Sequence, residues 1–303
     1  MQHKSLDLQN ISLAEFIAPV FKNKYKILLV SFVFSVFSVF YALSLPNIYK
    51  SETLLVPNSG QAEGGMAKLA SSLGGLASLT GVNLGDAGAN ELLITIETLK
   101  SRNFILDFIN ENNLEVPLIA AVGWDKASND LILDPEVYSY EEKKWVRGPT
   151  KWGKVEPSEQ ELYERFMERL SVNFIEDKSM LSLSMKHYSP NLSKEWLELY
   201  VARINTWMRN KKLMEAEKSI LSLESIIQDT KLSNAKSVFS SLMEEQIQSK
   251  MLVMSKTDYA LQIIDPPYLP ELKSEPKRAL ICIFITFLGG FLSVVFYLVR
   301  AHT

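Results

Sequence analysis

Residues 279–299, ALICIFITFLGGFLSVVFYLV, run for twenty-one positions without a charge. A helix that crosses the hydrocarbon core of a bilayer needs about 20 such residues. A buried core helix carries a strongly polar residue every few turns, whereas only Thr286 and Ser293 interrupt this run. A second uncharged run, ILLVSFVFSVFSVFYALSL, occupies residues 27–45. It is longer than the apolar stretch of a signal peptide, about 7–15 residues, and its end, Leu43-Ser44-Leu45-Pro46, lacks a small-x-small cleavage site. Two transmembrane helices are the expectation.

The lysines orient them. Lys4, Lys22, Lys24 and Lys26 precede the first run, opposed by Asp7 and Glu15, and Arg300 follows the second. Short positive flanks stay in the cytoplasm, while a long loop translocates largely regardless of its charge. The expected layout is a cytoplasmic segment at 1–26, a first span at 27–45, an external body at 46–278, a second span at 279–299 and a cytoplasmic tail at 300–303. All acidic side chains except Asp7 and Glu15 then lie in the external body.

Composition excludes several chemistries. A 47% hydrophobic chain with 22% charged residues is not disordered in bulk. Cys282 is the only cysteine, so neither an internal disulfide nor a multi-cysteine zinc site is available. The histidines are His3, His187 and His302, and two of them stand near the ends. A net charge of −3 argues against nucleic acid as a partner. The chain contains no G-x-x-x-x-G-K-[ST], and no cofactor is expected.

The head carries Leu13, Phe16, Ile17, Val20 and Phe21 at helical spacing, with Ser12 and Glu15 forming a capping box and Pro19 interrupting the pattern. Two readings stay open: an amphipathic helix on the inner leaflet, or a continuation of the first span.

Within the body, residues 48–57 (IYKSETLLVP) read as a strand. Residues 60–90 hold eight glycines, and read either as a small-residue loop or as a pliable surface for a partner or polymer. Asn90 caps an expected helix through about Asn112. Residues 114–157, with Trp124, Trp145 and Trp152, read as irregular. Another helix is expected from Pro157 to about Leu170, then a hairpin of 172–175 and 180–186 turning at Asp177-Lys178-Ser179. In its second strand Leu181, Leu183 and Met185 alternate with Ser182, Ser184 and Lys186.

The longest feature spans about residues 193–228, without proline or glycine. Trp196, Tyr200, Ile204, Trp207, Met214 and Leu221 lie near one stripe of that helix. The helix either folds back against a partner helix at about 231–254, or also packs against neighbouring copies of the chain through that stripe. Residues 259–265 (YALQIID) are expected to return as a strand beside 48–57.

The most specific spacing comes last. Pro267-x2-Pro270-x4-Glu275-Pro276-Lys277 leads into the second span, and Gly289, Gly290 and Ser293 follow within it. Glycine and serine four apart permit close helix approach in lipid. These residues resemble the pattern P-x2-P-x4-S-P-K-x11-G-x3-G of the Wzz-type chain-length determinants, the bacterial polysaccharide co-polymerases. The match falls at Pro267, Pro270, Pro276, Lys277 and Gly289. The departures are Glu275 in place of serine and Ser293 in place of glycine. The segments ISLAEFI at 11–17 and IIDPPYLPE at 263–271 are also similar to family segments.

The resemblance implies an α+β periplasmic domain with a long extended helix, flanked by two transmembrane helices of the bacterial inner membrane. It implies a homo-oligomer ring that sets the length of a surface polysaccharide, with lipopolysaccharide O-antigen the expected polymer. The implied partners are a separate polysaccharide polymerase, the lipid-linked polysaccharide and membrane lipid, with no enzymatic activity and no nucleic acid. Without a phosphate loop the chain resembles the short class that lacks a kinase domain. Two other classes compete with this reading. A two-span sensor requires a cytoplasmic output module, which residues 300–303 do not supply. A membrane-anchored periplasmic hydrolase requires a nucleophile and base, and the only histidine of the body is His187.

Overall fold

The computed structural model describes residues 22–58, 87–149, 151, 153–230 and 232–302. The expected head helix at 11–21, most of the glycine-rich segment and Trp152 lie outside the described residues. The chain divides into two compact units, Met1–Ile48 with Lys273–Thr303 and Tyr49–Leu272.

The larger unit is built on a four-stranded antiparallel sheet in the order β6-β7-β1-β8. Its strands are β1 (Tyr49–Pro57), β6 (Leu170–Ile175), β7 (Met180–His187) and β8 (Leu261–Asp265). β1 is central, and its inward residues Ser51, Thr53 and Leu55 are buried. Leu181, Leu183 and Met185 of β7 are fully buried, as the alternation predicts. Ser182 and Ser184 on the opposite face are buried as well, an outcome the polar pattern did not predict. They are short side chains standing beside Leu54 and Glu52 of β1 and Asn173 and Ser171 of β6, and Ser182 donates to Glu52 at 2.7 Å. The hairpin turns through a 3-10 segment, Glu176–Lys178, and Ser179 takes the left-handed conformation (φ 50°).

The helix expected from Asn90 to Asn112 is two helices. α2 (Ala87–Lys100) ends before Ser101, and α3 (Arg102–Glu111) begins after it. Ser101 is extended and its hydroxyl accepts the N–H of Phe104, so this serine starts a new helix. Asn90 consequently lies inside α2 rather than capping it. The break lets α3 turn Phe104, Ile105, Phe108 and Ile109 inward, all fully buried. Each such burial contributes about 2 kcal/mol.

Residues 114–157 hold more order than expected. A short helix α4 (Glu115–Ile119) precedes two small antiparallel pairs, β2 (Ala121–Trp124) with β3 (Leu131–Leu133) and β4 (Tyr138–Ser139) with β5 (Lys144–Trp145). Helix α5 (Glu159–Arg169) starts at Ser158, whose hydroxyl accepts the N–H of Glu161. The carboxylate of that same Glu161 forms a buried bidentate pair with Arg147 at 2.5 and 2.7 Å.

The long helix α6 runs from Pro190 to Asp229, three residues earlier than the punctuation at Ser189-Pro190-Asn191 predicts. The reason is local: Ser189 is the N-cap, accepting from Leu192 N–H, and Pro190 occupies the first turn, where its missing N–H costs nothing. Forty residues extend about 60 Å. α7 (Ser233–Ser255) folds back beside it. Leu213, Ala216, Ile220, Leu223 and Ile227, three or four apart, take the covered side of the hairpin, and Lys250 of α7 pairs with Glu217 of α6 at 2.8 Å.

The smaller unit is an antiparallel pair of apolar helices, α1 (Lys24–Ser44) and α8 (Arg278–His302). Both are long and apolar enough to cross a membrane. Large side chains face outward on both, among them Leu28, Phe32, Phe40, Phe284, Phe287 and Phe291.

Candidate functional site: the glycine surface, the proline segment and the long helix

The close approach of α1 and α8 is made at Gly289 and Gly290. A Cβ built on Gly289 would fall 2.7 Å from Phe34 Cβ, and one on Gly290 would fall 3.1 Å from Ser31 Oγ. The glycine surface is therefore filled by Phe34 and Ser31 of α1. Ser293 sits one turn further on, 6% exposed. On α1 the matching face consists of Ser31, Ser35, Ser38 and Ala42, of which Ser38 and Ala42 are buried. Ser31 Oγ donates to Ile27 O at 3.0 Å and Ser38 Oγ to Ser35 O at 2.7 Å, so both hydroxyls are satisfied within their own helix. Van der Waals packing between small residues is the force available to such a pair in lipid. The α1 face escaped the sequence reading, although Ser31-x3-Ser35 and Ser38-x3-Ala42 carry the same small-residue spacing as α8.

Arg278, also missed, closes the other end of this pair. Its guanidinium donates to Leu45 O and Asn47 Oδ1, both at 3.1 Å. Leu45 is the C-cap of α1, where unpaired carbonyls and the helix dipole favour a cation. Pro276 is half-buried and Lys277 is exposed. The Glu275 carbonyl accepts the Ile48 N–H at 2.9 Å.

In the larger unit, Pro267 and Pro270 are buried, whereas Pro266, Tyr268 and Leu269 between and beside them are exposed. A spacing of three is the repeat of an extended proline-rich segment and puts both prolines on one side. Ser51 Oγ donates to Tyr268 O at 2.7 Å and Thr53 Oγ1 donates to Asp265 O at 2.6 Å.

The stripe on α6 separates into two parts, and this corrects its reading as one oligomer-packing face. Trp196, Tyr200 and Ile204 are buried inside the protomer. Tyr200 stacks edge-on to Phe108 at 4.9 Å and donates to Leu99 O at 2.5 Å; burial raises its phenol well above the ordinary range. Trp207 is partly buried, meeting Phe104 edge-on at 5.4 Å with Arg203 over its ring. These four side chains are used up by α2, α3 and the sheet, because the base of α6 lies across them. Met214 and Leu221, further along, are 64% and 66% exposed. Val238, Met251 and Met254 of α7 are also exposed, so the hairpin retains an apolar surface.

Asn205 is a buried polar residue of α6 that periodicity does not single out. Its amide donates to Leu261 O at 2.9 Å, and its oxygen accepts the N–H groups of Ala260 and Leu261, each at 2.8 Å. It fixes the start of β8 against α6.

His187 is a packed residue. Nδ1 accepts the Ser189 N–H at 3.1 Å, which leaves Nε2 as the donor to Pro117 O at 3.3 Å. Burial, reinforced by the nearby Arg169 charge, lowers its pKa to about 3. Its two nitrogens are both taken by backbone, so it does not present a free base to a nucleophile.

Two apolar helices paired through small residues, and an α/β sheet body with a helical hairpin, define the fold class. Residues 9–112 match the family model for Wzz, the chain length determinant proteins. No curated protein matches the chain. Among solved structures, a full-length bacterial polysaccharide co-polymerase is 11% identical, with 96% of this chain and 98% of that one covered at a TM-score of 0.42. A fragment of WzzB, a polysaccharide co-polymerase from Salmonella Typhimurium, is 10% identical, with 76% of this chain and 100% of the fragment covered at a TM-score of 0.35.

Proposed function

We propose that the protein is a polysaccharide co-polymerase that sets the chain length of a bacterial surface polysaccharide, with lipopolysaccharide O-antigen as the polymer. It spans the inner membrane through α1 and α8, keeps both termini in the cytoplasm and holds residues 46–278 in the periplasm. It acts without catalysing a reaction, as a homo-oligomer beside a separate polymerase that extends the lipid-linked chain. The match of residues 9–112 to the Wzz family model carries this reading. Gly289, where the motif requires glycine and a side chain would collide with Phe34, supports it. The exposed apolar surface around Met214 and Leu221 supports an assembly through the distal hairpin.

The test is a gain of function. The chain is expressed in a strain that makes the polymer but lacks its own length regulator, and the polysaccharide is resolved on a gel. A modal band is expected where the host alone shows an unregulated ladder. A ladder unaffected by expression overturns the proposal.

A further inference from the structure

β8 pairs with β1 through the backbone only from Leu261 to Asp265, and the register shifts between Leu54 and Leu55. Pro266 and Pro267 follow immediately, and neither carries an N–H, so the ladder of β8 cannot continue past Asp265. The segment nevertheless stays against β1, and side chains of β1 hold the carbonyls on either side of Pro266-Pro267. Thr53 Oγ1 reaches Asp265 O and Ser51 Oγ reaches Tyr268 O. Both donors are buried, Ser51 at 0% and Thr53 at 1% exposed, on the inward face of a strand where the neighbouring inward residue is Leu55. A hydroxyl buried among apolar groups is costly unless it is paired, and here one pairs with the last carbonyl of β8 and the other with a carbonyl of the proline segment.

We propose that Ser51 and Thr53 are the positioning residues of the Pro267–Pro270 segment: their hydroxyls give the carbonyls on either side of Pro266-Pro267 the hydrogen bonds that backbone N–H groups of β1 would give in a continued ladder. Resting on the chain-length reading above, this makes two residues of β1, outside the proline–glycine motif, determinants of length control. The geometry also explains why the alternation on β1 is Ser-x-Thr-x-Leu rather than wholly apolar.

The experiment uses the full chain in membranes. Ser51→Ala, Thr53→Val and the pair are compared with Ser51→Thr and Thr53→Ser, which keep the hydroxyl. Thr53→Val preserves the shape of the side chain and keeps the test valid if the double variant does not accumulate. Tyr268 and Leu269 are exposed, so chymotrypsin cleavage there reports release of the segment. The hydroxyl-free variants should be cut about tenfold faster at 268–269, with cleavage elsewhere unchanged, and should broaden the modal band. The hydroxyl-keeping variants should match the wild type in both. Unchanged cleavage at 268–269 in Thr53→Val and in the double variant overturns the positioning role. Faster cleavage with an unchanged band overturns the link to length control. A wild-type chain that imposes no modal band at all sinks the parent reading instead, which the cleavage assay reads independently.

Discussion

Phe34 of α1 occupies the space that a side chain at Gly289 of α8 would need, with 2.7 Å between Phe34 Cβ and a Cβ built on the glycine. Such a distance requires one helix to move, because both groups sit on rigid helical backbone. Gly289→Leu should therefore separate the helices while leaving the apolar length of each intact. The expected outcome is normal membrane insertion with loss of the modal polymer band. Phe34→Gly, which removes the Cβ that collides, should restore part of the function to Gly289→Ala, a coupling that a double-mutant comparison on the same gel would read.

The two parts of the α6 stripe should respond differently to a charge. Trp196→Asp places a carboxylate in the core, at a cost of several kcal/mol, and the body should fail to fold. Leu221→Asp falls on an exposed position and should leave protease resistance unchanged while reducing the cross-linked oligomer and broadening polymer length. A Leu221→Asp variant with unaltered oligomer and unaltered polymer removes the distal hairpin from the assembly.

His187 makes stability depend on pH in a defined direction. Its folded pKa is about 3, below the ordinary value of 6.5, so the unfolded state binds the proton first as pH falls. The contribution is fully present above about pH 6.5 and is lost progressively as pH drops toward 3, by about 1.4 kcal/mol per pH unit within that window. Protease resistance of the full chain in membranes, titrated from pH 7 to pH 4, should decline along that window. His187→Asn should decline less steeply over the same range.

Orientation is checked by reporter fusions. A reporter active only outside the cytoplasm should be active after Lys186 and silent after Thr303, as the lysine flanks predict.

Much of this architecture was legible in the residues. The two apolar runs, the hairpin of 172–175 and 180–186, the long helix and the return of 259–265 to β1 all follow from periodicity and from proline and glycine placement. What escaped did so for physical reasons. Ser101 divides α2 from α3 through a single hydroxyl cap within an otherwise continuous apolar pattern, and periodicity alone does not see a cap. Trp196, Tyr200 and Ile204 looked available for a neighbour because an apolar stripe does not state which surface covers it; here α3 and the sheet do. Ser51, Thr53 and Asn205 were invisible as sites because each acts through backbone carbonyls or N–H groups more than fifty positions away. Gly289 was recognisable by spacing, but its partner Phe34 was not, since large and small residues alternate all along α1.

The most direct test of the central claim is the surface polysaccharide of a strain deleted for this gene, with band distribution and total polymer measured on the same samples. The account predicts that the modal band disappears while total polymer persists as an unregulated ladder, and that the wild-type chain restores the band. An unchanged modal distribution in the deletion strain would contradict it.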